Sequence, residues 1–285
     1  MRNNFKKILH CVRLDYHDWI VNSRLIIITV MIIFNYSLAV EPLIERSIRM
    51  GEKINTLEPF VAVGSSGLIS FILPVVFYIL VSDFPADKGN AVFRISRLGR
   101  ANWLTAQLIN LAVFIVTFLI IVALGTIIPI LGHCAVSQKW SQVVTDYANI
   151  FPESARSYEL LPENLYYHVK NPLTAALLTY TLLCFYLFLI GEILILASVV
   201  NRRKLGNIIS AFLMIGGAAL SSVDSQWKWF FPGQHSVVWV HFTKFLRKDV
   251  VPLYVSYLLF AVSCAVLCII SFLMIKRYNF AGQEE

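Results

Sequence analysis

Six long apolar runs alternate with polar or basic segments along this chain. They cover residues 20–40, 60–81, 103–131, 172–200, 205–220 and 251–275. A helix rises about 1.5 Å per residue, so about 20 apolar residues cross the roughly 30 Å hydrocarbon layer of a bilayer. Each run therefore predicts a transmembrane helix. The fifth, LGNIISAFLMIGGAAL, is short and rich in Gly, Ala and Ser. Small residues such as Gly216 and Gly217 let helices approach closely, which predicts a place for it inside the bundle. Pro74 and Pro129 predict kinks or ends in the second and third helices.

Four segments depart from plain span-and-loop patterning. Before the first run, Phe5, Ile8, Leu9, Val12, Tyr16 and Trp19 recur at helical spacing, with basic side chains largely on other faces. This predicts an amphipathic helix over Asn4–Trp19 lying at the membrane interface. Between the second and third runs, Pro85 and Gly89 break the chain and Asn90 suits an N-cap. After them, Val92, Ile95 and Leu98 form one stripe, and Arg94, Arg97 and Arg100 another. A short helix with an apolar and a basic side is a docking surface for lipid headgroups or for a groove on a partner. Residues 132–171 form a long polar and aromatic loop that suits a small ordered cap. Between the fifth and sixth runs lie Trp227, Trp229, Phe230 and Phe231, then Pro232-Gly233, then Trp239, Phe242 and Phe245. Aromatic arms around a Pro-Gly turn predict a re-entrant or interfacial hairpin.

Composition agrees with the pattern. The 285 residues are 58% hydrophobic and 14% charged, against about 45–50% and about 25% in soluble domains. No polar stretch is long enough for a separate soluble catalytic domain, so residues 1–285 read as a single membrane domain. With the N-terminus inside, the inner segments 1–24, 82–102, 201–206 and 276–285 hold 14 Lys and Arg against 6 Asp and Glu, and the outer loops hold 10 of each. This is the positive-inside pattern, with both termini cytoplasmic. It accounts for the net +7 charge without nucleic acid. Ser37-Leu38-Ala39 resembles a signal-peptide cleavage site, but the preceding region is long and carries Asp15 and Asp18, so retention of the segment is expected.

Candidate chemistry is sparse. The five cysteines form neither a disulfide framework nor a metal motif. Cys264 and Cys268 share a helix face and suit inert packing. None of the six histidines belongs to an HExxH motif; GxSxG and GxxxxGK[ST] are also missing. The chain has no phosphate loop with which to hydrolyse ATP, and no metal or cofactor site is predicted. Glu192, inside the fourth run, is an ionisable residue at membrane depth, where the cost makes it a candidate for a pathway or for holding helices together.

The layout resembles the membrane subunit of ABC-2 type ABC transporters. An amphipathic helix precedes the first span. A basic helix lies where that family has its coupling helix. A loose motif of acid, Gly, Ser-Arg, Trp-Leu and Gln reads here as Asp87, Gly89, Ser96-Arg97, Trp103-Leu104 and Gln107. An outer helical pair corresponds to Ser221–Lys248. The resemblance implies an all-α membrane protein of six spans in a bacterial plasma membrane. It also implies export of a peptide, antibiotic, lipid or other amphipathic substrate, with no cofactor of its own. The partners implied are cytoplasmic ABC ATPase subunits and a second permease chain, like or unlike, within the membrane lipid. Asp87, Val92, Arg94, Ile95, Arg97, Leu98 and Arg100 are the expected ATPase-coupling residues. Two other readings stay open. One is a membrane-embedded enzyme acting on lipid, with Glu192, His235 and His241 as its candidates. The other is a non-transporting immunity protein or scaffold.

Overall fold

A computed structural model describes residues 2–67, 69–85, 91–152, 160–221, 226–243 and 249–277. The amphipathic pattern becomes helix α1, Arg2–Ile20. A second helix, α2, runs Ser23–Met50, ten residues past the first apolar run. The extension EPLIERSIRM is amphipathic: Leu43 and Ser47 are buried while Glu41, Glu45, Ile48 and Arg49 face out. It stops at Gly51, whose φ of +70° and ψ of 14° make the left-handed cap that ends many helices.

The second run, predicted as one helix, is divided. Helix α3 spans Glu58–Ser65 and α4 spans Ile69–Val81, with Ser66 extended at ψ 133°. The indole N–H of Trp239 donates to the Ser65 carbonyl at 2.8 Å, satisfying an acceptor at the helix end. Pro74 lies inside α4 rather than at its end. Next come α5, Ala91–Leu98, and α6, Arg100–Ile127, which tightens into a 3-10 turn at Ile128–Ile130 around Pro129. Then come α7, Glu163–His168, within the 132–171 loop; α8, Pro172–Val199; α9, Arg203–Ser221; α10, Pro232–His235; and α11, Leu253–Met274.

Among the described residues, four helices are long and apolar enough to cross a membrane: Ser23–Met50, Arg100–Ile130, Pro172–Val199 and Leu253–Met274. They carry the runs predicted at 20–40, 103–131, 172–200 and 251–275. The architecture is that of an all-α membrane protein with α8 at its centre. Phe114, Phe118, Leu111, Leu187 and Ile190 belong to one continuous core. The close approach of α6 and α8 uses Gly191, where an added Cβ would stand 2.3 Å from the Leu111 Cδ1.

The fifth run forms α9 but does not sit inside the bundle. Gly206 packs so near α8 that a Cβ there would stand 2.3 Å from the Ala197 Cβ, and Gly216 packs against Phe231. The large side chains Ile208, Phe212 and Ile215 are more than 60% exposed. Small residues on one side of a helix permit one close approach; they do not bury the other side.

The 132–171 loop is tied within itself and to its neighbours by several contacts. Ile54–Asn55 and Cys134–Ala135 pair as a two-residue parallel ladder. The Trp140 indole donates to the Val169 carbonyl. Arg46, on the extension of α2, lies 4.7 Å over the Tyr147 ring.

Candidate functional site at the two ends of the bundle

At the end assigned by charge to the cytoplasm, α5 meets α6 at Gly99, with φ 82° and ψ 149°. Only glycine adopts that backbone readily, so the corner is built into the sequence. Ile95, 4% exposed, packs into the main core. Leu98 packs on Cys11, Val12 and Ala106 together with Ile8 of α1. The apolar stripe expected to enter a partner's groove thus turns inward at these two residues. Ser96 and Arg97 remain exposed. Arg100, expected on the coupling helix, is instead the first residue of α6, and its guanidinium donates to the Lys276 carbonyl. Val92 and Arg94 lie on the α5 backbone but their side chains are outside the described part, and Asp87 lies outside the described residues.

The N-terminal helix is fastened to this platform by polar contacts that periodicity did not reveal. The Asp15 carboxylate accepts from Gln107 Nε2 at 3.0 Å and from Asn110 Nδ2 at 3.1 Å. Tyr16 bonds Thr117 through their hydroxyls at 3.1 Å. Trp19 stacks on Phe114 with ring centroids 4.7 Å apart. A sequence signal existed: Cys11, Asp15 and Trp19 fall at i, i+4 and i+8, so Asp15 is a charge placed on a packing stripe.

Further contacts tie the same end together. Arg24 pairs with Asp83 and also donates to the Ile79 carbonyl and the Ser82 hydroxyl. Arg203 donates to the Pro85 carbonyl. The beginnings of α2, α6 and α9 therefore meet the ends of α4 and α11.

At the opposite end, Glu58 starts α3 and joins it to the loop. Its Oε1 accepts from the Ser141 amide at 2.6 Å, and its Oε2 accepts from the Ser141 hydroxyl at 2.7 Å and the Asn55 amide at 2.9 Å. Burial pushes this carboxyl up, and the bonds from Ser141 and Asn55 pull it part of the way back.

The predicted hairpin is a chain of short turns, at Gln226–Phe230, Pro232–His235 and Val238–His241. The Pro-Gly pair starts the second of these turns rather than a simple reversal of the chain. Gly233 comes close to Gly217, where a Cβ would stand 3.6 Å from the Gly233 Cα. Gln234 donates to the Gly217 carbonyl. Trp227 is 68% exposed, while Trp229 packs beside His235 and His241.

Behind the hairpin lies a buried triplet. Ser256 Oγ, on α11, stands 2.7 Å from His235 Nδ1 and 2.7 Å from His241 Nε2. The other ring nitrogens face the Trp229 carbonyl at 2.8 Å and the Val237 carbonyl at 3.0 Å. A carbonyl only accepts, so each of those nitrogens carries the proton. Two unprotonated nitrogens then face one serine hydrogen, and only one of the two contacts is a full hydrogen bond while both rings are neutral. Burial lowers both histidines. His241 is pushed down to about 4, with the carbonyl bonds and the more distant Asp249 opposing and His235 adding to the shift. His241 and Ser256 have no exposed surface, so the triplet clasps the hairpin to α11 and offers no reachable nucleophile.

Between the ends, Glu192 is 2% exposed on α8. Its carboxyl faces Cys264 and Cys268 of α11, and its Oε2 has no hydrogen-bond partner among the described residues. Of the three candidates for the enzyme reading, Glu192 lies on α8, and His235 and His241 lie on the hairpin against Ser256. No group of three or more His, Cys, Asp or Glu suited to a metal ion occurs among the described residues. Comparison with protein-family models, with curated proteins and with solved structures finds no match.

Proposed function

We propose that the chain is the membrane-spanning permease subunit of an ATP-driven exporter of the ABC-2 type. It works with separate cytoplasmic ATPase subunits and a second permease chain, and moves an amphipathic substrate outward. The observation that carries the reading is the joint of α1, α5 and α6. A short helix with an exposed Arg97 is fixed by its apolar side to two neighbours and by Gly99 to a helix long enough to span the bilayer. A push on α5 passes to α6 and, through Asp15, to α1.

The reading takes six crossings, with α2, the α3–α4 pair, α6, α8, α9 and α11 as the spans; four of these segments contain a helix long and apolar enough to cross a membrane. The inward turn of Ile95 and Leu98 changes the expected docking chemistry. Arg97, with Ser96 beside it, meets the ATPase, and the apolar stripe holds the lever in place.

A cross-link tests this. With Ser96→Cys in membranes of the native host, a short bifunctional thiol reagent is expected to join the chain to a protein carrying GxxxxGK[ST]. Cross-links to lipid alone, or to no such protein, would sink the assignment.

A further inference from the structure

Two apolar grooves flank α11, and both open at the same end of the bundle onto basic residues. The larger, about 790 Å³, has walls of Leu189 and Leu196 from α8, Ile209 and Leu213 from α9, and Val266 and Leu267 from α11. Its floor is Ala197 and Gly206, whose close approach keeps α8 and α9 together at the turn. Arg202 closes its inner end, with Lys204 exposed beside it. The second, about 660 Å³, lies between α6 and α11, lined by Ala265, Ile269 and Phe272 and headed by Arg100 and Lys276.

We infer that the α8–α9–α11 groove binds an anionic phospholipid of the inner leaflet, its chain along the groove and its phosphate at Arg202. Two independent features lead there. The first is length. From Arg202 the groove reaches Leu213 on α9 and Leu189 on α8, about ten residues or roughly 15 Å of helix. That is half of the roughly 30 Å hydrocarbon layer, the depth of a single leaflet. The second is charge complementarity. An apolar groove between helices with a cation at its cytoplasmic mouth matches an anionic headgroup above an acyl chain. The second groove repeats both features, from Arg100 and Lys276 to Ala265, about eleven residues along α11. The inference goes beyond the exporter reading and does not depend on it, since it needs only a bilayer around the apolar helices.

The site holds a structural consequence. Arg203, next to Arg202, is fastened to the Pro85 carbonyl in the loop that leads to α5. A lipid held at Arg202 would brace the α8–α9 turn on which that contact stands.

The test uses the full-length chain, purified in an uncharged detergent and stripped of lipid. Thermal unfolding is followed with added phosphatidylglycerol, with phosphatidylcholine of the same chains, and with glycerol phosphate alone. A ligand that binds only the folded state raises the melting temperature by mass action. A rise of several degrees is expected for phosphatidylglycerol, little for phosphatidylcholine, and none for the soluble headgroup. Arg202→Gln should remove most of the difference between the two lipids. Ser263→Phe, which fills the groove from the α11 side, should remove the rise itself. Native mass spectrometry should show the bound anionic lipid on the wild type and its loss in Ser263→Phe. Equal shifts with both lipids, or a full shift in both variants, would overturn the site. Loss of a dimer rather than of lipid in Ser263→Phe would also overturn it, making the groove a contact between copies of the chain.

Discussion

His241 is fully buried with a partner at each ring nitrogen, and its chemistry predicts a pH window. Its folded-state value is pushed down to about 4 by burial, while an unfolded histidine titrates near about 6.5. Below that value the unfolded chain binds a proton that the folded chain refuses. Stability should therefore be fully present above about pH 6.5 and be lost progressively toward about pH 4, by up to roughly 3 kcal/mol. His235 shifts in the same direction. Melting temperatures between pH 7.5 and 4.5 should fall in the wild type, and the slope should flatten in His241→Gln. An unchanged slope in that variant would mean that the triplet does not titrate as described. The histidines were visible in the sequence, but their partner was not: Ser256 is one of several serines in apolar runs, and only the fold brings it between two rings. Asp15 was visible too, as a charge on the stripe of Cys11 and Trp19, yet only the fold brings Gln107 and Asn110 against it.

Elements differ in how much of them periodicity revealed. The helices α6 and α8 were legible because a long apolar run has one solution in a bilayer, a helix that satisfies its own backbone. The break between α3 and α4 was hidden, because hydropathy counts side chains, and Ser65, Ser66 and Gly67 interrupt the apolar run too briefly to register. The extension of α2 to Met50 was hidden for the opposite reason, since its charges masked an amphipathic helix. The two left-handed glycines that shape these elements make a paired prediction. Gly51, at φ +70° and ψ 14°, lies where Asn is tolerated, so Gly51→Asn should cost less than Gly51→Ala. Gly99, at φ 82° and ψ 149°, lies where only Gly is at ease, so Gly99→Asn and Gly99→Ala should both cost about 1–3 kcal/mol. Thermal or denaturant unfolding of the four variants checks the contrast; a tolerant Gly99→Asn would mean that the α5–α6 corner is not held as described.

At the scale of the whole molecule, contacts tie the helices at two ends of a continuous core. The end assigned by charge to the cytoplasm carries the joint of α1, α5 and α6 together with the Arg24–Asp83 pair, and the opposite end carries Glu58, the small parallel ladder and the histidine clasp. The membrane class was legible from composition and from the six runs. The division of labour within the inner helix was not, because a stripe of three apolar positions has the same spacing whether it faces a partner or its own neighbours. That distinction takes Ile95 and Leu98 out of the proposed ATPase contact and leaves Arg97 and its exposed neighbours. The most direct measurement is ATP hydrolysis by the chain purified with its companions from native membranes, wild type against Arg97→Glu. The account predicts hydrolysis that co-elutes with the chain and falls at least about tenfold in Arg97→Glu, about 1.4 kcal/mol of lost coupling, with the melting temperature of the permease unchanged. A chain that purifies without any ATPase, or hydrolysis that is indifferent to Arg97→Glu, would contradict it.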